Sequence, residues 1–262
     1  MIKRIIIIGS LVFTLVLNAK ADTTEVIIIG TTHNETENFN PDSLYNIFTK
    51  LQPYAILMES DSTYMTSEYQ LKENIKDIAN ETKAVTKYLE TNSTLLRPYD
   101  IANRDNYLNN LRRRRTERRF FEELTELYES GRMTSNVSGL ISGLMNSMDY
   151  AEYLTYNTPF EINRPENDTL IKEINYYDFQ AFHQIINETP ELSEYGEYWQ
   201  DHTNFWVMRN DAMIENIIRY IKEFKGERLI VLCGFSHKPY LKNGLKNLES
   251  TGSISIKEYW ED

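Results

Sequence analysis

Two stretches of the chain, about two hundred residues apart, are built to one plan. Ile27, Ile28 and Ile29 run into Gly30-Thr31-Thr32-His33, and Val231, Leu232 and Cys233 run into Gly234-Phe235-Ser236-His237. An unbroken apolar run bounded by glycine reads as a strand covered on both faces, the usual condition of a parallel sheet. Glycine lets the chain turn sharply as it leaves the sheet. The histidine then falls on the loop past the strand's carboxyl end, where open α/β sheets place their ligands. Half of the four histidines occupy this one local setting. The pair predicts an α/β fold with a central, largely parallel or mixed sheet flanked by helices.

The rest of the chain fits that frame. A first strand covers Glu25 to Ile29, and Pro41-Asp42-Ser43 opens a helix to about Leu51, with Leu44, Ile47, Phe48 and Leu51 at helical spacing. After Pro53, a second strand from Tyr54 to Met58 ends on Glu59-Ser60-Asp61. Such a strand-helix-strand unit gives a parallel pair by default. Residues 64–91 read as polar helices, and a third short strand, Thr94 to Tyr99, ends at Asp100. A charged helix from Asn106 to about Gly131 carries Arg112 to Arg115, Arg118 and Arg119. It reads as a solvated face, with Arg118–Glu122 and Arg119–Glu123 pairs one turn apart. The Gly-, Ser- and Met-rich stretch Met133 to Met148 suggests a helical hairpin or a flexible lid, and Pro159 to Asp168 a surface loop. Asp178 to Ile186 reads as a helix bearing His183 as a surface or packing residue. A long helix follows from about Glu197 to Phe224. Pro239 suits the first turn of a further helix, and the alternation from Ser253 to Lys257 suits an edge strand. Residues 22–262 thus read as one α/β domain with a helical insertion at roughly 104–195.

Residues 1–21 have the pattern of a secretory signal peptide: Lys3 and Arg4, an apolar core from Ile5 to Leu17, and Ala19-Lys20-Ala21 as cleavage site. That core is too short to span a bilayer comfortably. The expected location is therefore periplasmic or secreted, of bacterial type, with no stable membrane insertion after cleavage. Removing that segment takes the formal charge from −11 to −14, which argues against nucleic acid or an anionic membrane surface as partner. Cys233 is the only cysteine, and its place in an apolar strand suits a small buried side chain better than a nucleophile. The expected partner is a small-molecule or peptide substrate. The sequence leaves the oligomeric state open.

Three strand ends carry polar residues: His33, Glu59 and His237. Two imidazoles and a carboxylate can ligate a catalytic metal that keeps one position open for water, and a divalent ion such as manganese, cobalt or zinc is the candidate cofactor. The same trio works without metal if one histidine deprotonates water, Glu59 orients it, and Arg209 steadies the developing oxyanion. Asp100, His202 and Asn210 are candidates for supporting roles: Asp100 ends the third strand, His202 lies two helical turns before Arg209, and Asn210 follows it.

Gly30 to His33, Pro53 to Glu59, Arg209-Asn210 and Gly234 to His237 together resemble the TraB / Tiki / erythromycin-esterase / ChaN-like superfamily. That group is marked by two Gly-x-x-His motifs, a strand-end Glu and a helical Arg-Asn. The resemblance covers roughly Val26 to Ser60 and Phe205 to Asn247. It implies an α/β core with a helical insertion and a hydrolase-type site at His33, Glu59, Arg209 and His237. The Tiki branch implies a metal-dependent peptidase, the esterase branch a water-activating hydrolase, and ChaN a haem-binding protein. The expected function is water attack on an amide or ester. The alternative is a non-catalytic binding protein that holds haem, metal or peptide in the same pocket.

Overall fold

In the computed structural model of the protein, which describes residues 23–261, the two repeated stretches are neighbouring strands. Strand β1 (Thr24–Thr31) pairs in parallel with β4 (Arg228–Gly234), and Thr31 stands opposite Gly234. The segment read as a signal peptide, 1–21, lies outside the described residues. The other strands are β2 (Ala55–Met58), β3 (Leu95–Pro98) and β5 (Ile254–Lys257). The sheet runs β3-β2-β4-β1-β5, and every pairing is parallel. All carboxyl ends therefore lie on one edge, in the spatial order Asp100, Glu59, His237, His33.

Strand residues alternate between two cores because successive side chains point to opposite faces. Ile27, Ile29, Ile56, Met58, Ile230 and Leu232 pack under α1 (Pro41–Leu51) and α2 (Asn80–Leu89). Val26, Ile28, Leu57, Leu229, Val231 and Cys233 pack under α9 (Gly196–Glu223) and α10 (Lys238–Ser250). Helix α1 starts as its sequence requires. Asn40 Oδ1 accepts from the Ser43 N–H at 3.0 Å, and proline fills the first helical position, where its missing N–H costs nothing.

Residues 104–195 contain helices and no strand: α3 (Arg104–Leu108), α4 (Leu111–Glu129), α5 (Ser135–Thr155), α6 (Pro159–Asn163), α7 (Asn167–Tyr176) and α8 (Phe182–Glu188), with a widened turn over Tyr177–Ala181 between the last two. Phe120, Leu124, Val137, Ile141 and Phe182 close a third core against Trp199 at the start of α9. No helix of the described residues is long and apolar enough to cross a membrane.

Several local expectations are corrected. Over residues 64–91 the one α-helix is α2. Before it the chain makes two short turns, Ser62–Tyr64 and Glu73–Ile75, and an isolated bridge from Met65 to Leu71. The charged helix breaks at Asn109-Asn110, where the Asn110 side chain accepts from Arg112 N–H at 3.0 Å and starts α4 afresh. Residues Met133 to Met148 form neither hairpin nor lid. From Ser135 on they belong to the single helix α5, capped by Thr134, because Val137, Ile141 and Leu144 give it a buried stripe. Pro159 to Asp168 is no surface loop: Thr158 and Pro159 start α6, whose last residue, Asn163, is fully buried. Arg119 pairs with Glu194 at 3.0 Å rather than with Glu123, which accepts from the Tyr195 hydroxyl.

Candidate active site

Each glycine faces the other motif, but only Gly30 is sterically tight. A Cβ on Gly30 would lie 3.1 Å from Phe235 Cα and 3.3 Å from Asn163 Oδ1. A Cβ on Gly234 would lie 3.4 Å from His33 Nε2 and 3.6 Å from Glu59 Oε2. The first absence lets β1 and the second loop approach closely. The second leaves an atom-sized gap beside both His33 and Glu59.

Arg209 organises the floor. Its Nε donates to Asp100 Oδ1 and its Nη2 to Asp100 Oδ2, each at 2.9 Å, and Nη2 also donates to Glu59 Oε1. Its Nη1 donates to His237 Nε2 at 3.1 Å. A guanidinium has five N–H donors in a fixed fork, so one Nη1 hydrogen is left over. Glu59 commits its other oxygen to the Gly234 amide at 2.6 Å. Asp100 also holds Arg104 at 3.0 Å.

The histidines differ. The Asn210 amide nitrogen donates to the Trp206 carbonyl, so its oxygen faces His237 Nδ1 at 2.8 Å and that nitrogen carries the proton. Trp206 stacks on the ring at 4.3 Å. Burial, with Arg209 adding to it against the pull of Glu59, pushes the His237 pKa down to about 4. His33 Nδ1 faces Glu81 Oε1 at 2.9 Å, and the side chain is 58% exposed. The hydrogen bond to Glu81 outweighs partial burial and raises the His33 pKa to about 9. For Glu59, burial pushes upward, but His237, Arg209, His33 and the Gly234 amide together draw the pKa down to about 2. Because His237 is neutral near pH 7, Arg209, the protonated His33 and the Gly234 amide are what hold the carboxylate there.

The fold therefore brings together His33, Glu59, Arg209, His237, Asp100 and Asn210. It does not bring His202. That ring accepts from Arg113 Nη2 at 3.1 Å, and burial with Arg113 lowers its pKa to about 4. It reaches the site only through stacked rings, Phe179 lying 5.3 Å from His202 and 4.2 Å from Trp206. Two turns along α9 is too far for contact, so His202 belongs to the packing of the insertion. His183 is likewise a packing residue, donating from Nε2 to the Thr203 hydroxyl at 2.9 Å. Clefts on the outer face of α9, beside Val207 and Met208, and between α5 and α7, beside Ser147 and Tyr177, touch none of the cluster.

The donor set His33, Glu59 and His237 does not fit a metal as arranged. The Arg209 guanidinium stands between Glu59 and His237, covering His237 Nε2 and one Glu59 oxygen, while the Gly234 amide takes the other. A dication placed there would meet a fixed positive charge. Among the described residues, no group of three or more His, Cys, Asp or Glu side chains is placed to hold a metal ion.

Four supporting residues escaped the sequence reading. Asn163 pairs with both backbone groups of Gly30, accepting from its N–H at 2.7 Å and donating to its carbonyl at 2.9 Å. Asn80 donates to the Thr32, Asn34 and Phe39 carbonyls and so fixes the His33 loop. Glu81 orients His33, and Arg104 flanks Asp100. Cys233 is buried, and burial drives its thiol pKa well above the ordinary value, which leaves it unreactive. Comparisons with protein-family models, curated proteins and solved structures found no match to this chain.

Proposed function

We propose that the protein is a hydrolase in which water attacks an amide or ester carbonyl, with side chains carrying the proton transfers. The observation that carries this reading is the gap beside Gly234, which adjoins His33 Nε2 and Glu59 Oε2 together. A reacting atom needs such a place, within reach of a base and of a fixed charge. Of the two histidines, His33 has its Nε2 free of a donor among the described residues, whereas Arg209 occupies that of His237. His33 Nε2 takes a proton from water as its oxygen bonds to the carbonyl carbon. Glu59 aligns the water, and the Arg209 charge stabilises the oxyanion. Collapse breaks the C–N or C–O bond, and His33 returns the proton to the leaving group. His237 and Asn210 hold Arg209 in place and are not the acid and base. The resemblance to the TraB / Tiki / erythromycin-esterase / ChaN-like superfamily, carried by Gly30 to His33, Pro53 to Glu59, Arg209-Asn210 and Gly234 to His237, supports a hydrolase through its Tiki and esterase branches, while its ChaN branch supports the binding alternative.

The test is a screen of the purified protein against ester and peptide libraries, repeated with His33→Gln. Loss of a proton-transfer group costs about 10²–10⁴ in rate, so the variant should lose at least a hundredfold. If the wild-type protein turns over nothing yet retains haem or peptide, the binding-protein alternative replaces this reading.

A further inference from the structure

Glu81 has no place in the resemblance and none in the repeated motif, yet among the described residues it is the one acid hydrogen-bonded to His33. It sits in the first turn of α2 and is 7% exposed. Its Oε1 accepts from both the Thr31 hydroxyl and His33 Nδ1. Its Oε2 is buried with no hydrogen-bond partner among the described residues. Its neighbour Asn80 binds three carbonyls around the His33 loop, and the Asn80 N–H binds the His33 carbonyl itself at 3.0 Å. Loop and carboxylate are therefore one rigid unit.

Stability alone does not account for this arrangement. An ion pair to an exposed histidine is worth little, while a buried polar atom left unpaired is costly. The placement makes sense if the pair serves a reaction. Resting on the hydrolase reading above, we infer that Glu81 is the positioning residue for proton transfer: it holds His33 with the proton on Nδ1, so that Nε2, facing the gap beside Gly234, is the reacting nitrogen. Thr31 anchors the carboxylate oxygen from β1. The helix N-terminus favours the negative charge where it stands.

The experiment is imidazole nitrogen NMR on the uniformly ¹⁵N-labelled full chain, above the pH at which His33 loses its proton, with His33 assigned by its loss in His33→Gln. The wild type should show neutral His33 protonated on Nδ1. Glu81→Gln keeps the shape but can present its amide as a donor, so the Nδ1-protonated population should fall. Glu81→Leu removes every acceptor and should show the same. An amide in place of the carboxylate beside a catalytic imidazole costs about 10⁴ in kcat, so on a wild-type substrate Glu81→Gln should lose at least a hundredfold in kcat with KM little changed. If both variants keep the wild-type tautomer, the inference is wrong whatever the activity. If the tautomer shifts but the wild type hydrolyses nothing, Glu81 still orients His33, and only the hydrolase reading fails.

Discussion

Arg209 donates from Nη1 to Nε2 of His237 across 3.1 Å, a contact that a protonated imidazole could not accept. It therefore requires His237 neutral, and the site provides that twice over, by burying the ring under Trp206 and by setting a fixed cation against it. His33, in the same sequence motif one strand away, meets the opposite conditions: solvent on one side and a carboxylate on the other. One motif thus yields an inert hydrogen-bond acceptor and an ionisable group, because the partners come from different helices.

Replacing Arg209 with Met should destabilise the protein severely. The substitution leaves Glu59 and Asp100, whose side chains are 6% and 0% exposed, facing each other without the guanidinium. Removing one partner of a buried charge cluster costs about 3–5 kcal/mol. For a chain of this size that is a fall in Tm of roughly 6–20 °C. Arg209→Lys should not rescue it, since an ammonium with three donors cannot serve four acceptor atoms on three residues in a fixed fork. Urea unfolding measures the effect, and a loss below about 1 kcal/mol would contradict the buried network.

Hydrolysis should accelerate with pH. The neutral form of His33 accepts the proton, and Glu81 raises its pKa from 6.5 to about 9. Below that value each pH unit should raise kcat/KM about tenfold. The ring is 58% exposed, so solvent screens the attraction and the plateau should begin between 6.5 and 9. A profile that falls with pH across this interval is incompatible with His33 as the base.

Folding stability should depend on pH in a different window. His237 has a folded pKa near 4 against 6.5 unfolded, so between these values the unfolded chain binds more protons. Its contribution is complete above 6.5 and is lost as pH falls through 4, by up to about 3 kcal/mol. Glu59, lowered to about 2, acts the same way below 4.5. His33 is reversed: its pairing stabilises below 6.5 and fades as pH rises through about 9. Urea midpoints should therefore drop from pH 7 to pH 5, and His237→Asn should flatten that drop. An unchanged slope in the variant would assign the acid sensitivity elsewhere.

The sheet was legible because β1 and β4 are apolar on both faces and bounded by glycine, the usual pattern of a strand in a covered parallel sheet. His33, Glu59 and His237 followed from position at strand ends, and Arg209-Asn210 from the helix before β4. Asn163, Asn80 and Glu81 were not legible. Each acts on backbone or side chains far away in sequence, Asn163 on Gly30 across 133 positions, and nothing local marks an asparagine for such a role. Residues Met133 to Met148 misled because glycine and serine suggest turns, whereas the stripe of Val137, Ile141 and Leu144 decides the helix once a third core covers it.

The two glycines of the repeated motif should respond differently to alanine. At Gly30 the new methyl would meet the backbone of Phe235 at 3.1 Å and the Asn163 amide at 3.3 Å. Neither yields easily, because Asn163 is hydrogen-bonded to Gly30 on both sides and Phe235 follows directly on a strand. Overpacking of this kind costs about 1–3 kcal/mol, so Gly30→Ala should unfold at lower urea. At Gly234 the methyl meets His33 Nε2 at 3.4 Å and Glu59 Oε2 at 3.6 Å, ordinary contact distances to side-chain atoms. Gly234→Ala should keep stability within about 0.5 kcal/mol of wild type and yet lose turnover, because the methyl takes the place beside His33 Nε2 and Glu59 Oε2 where the attacking water oxygen must stand. Equal stability loss in both variants, or full activity in Gly234→Ala, would place the reacting atoms away from that gap.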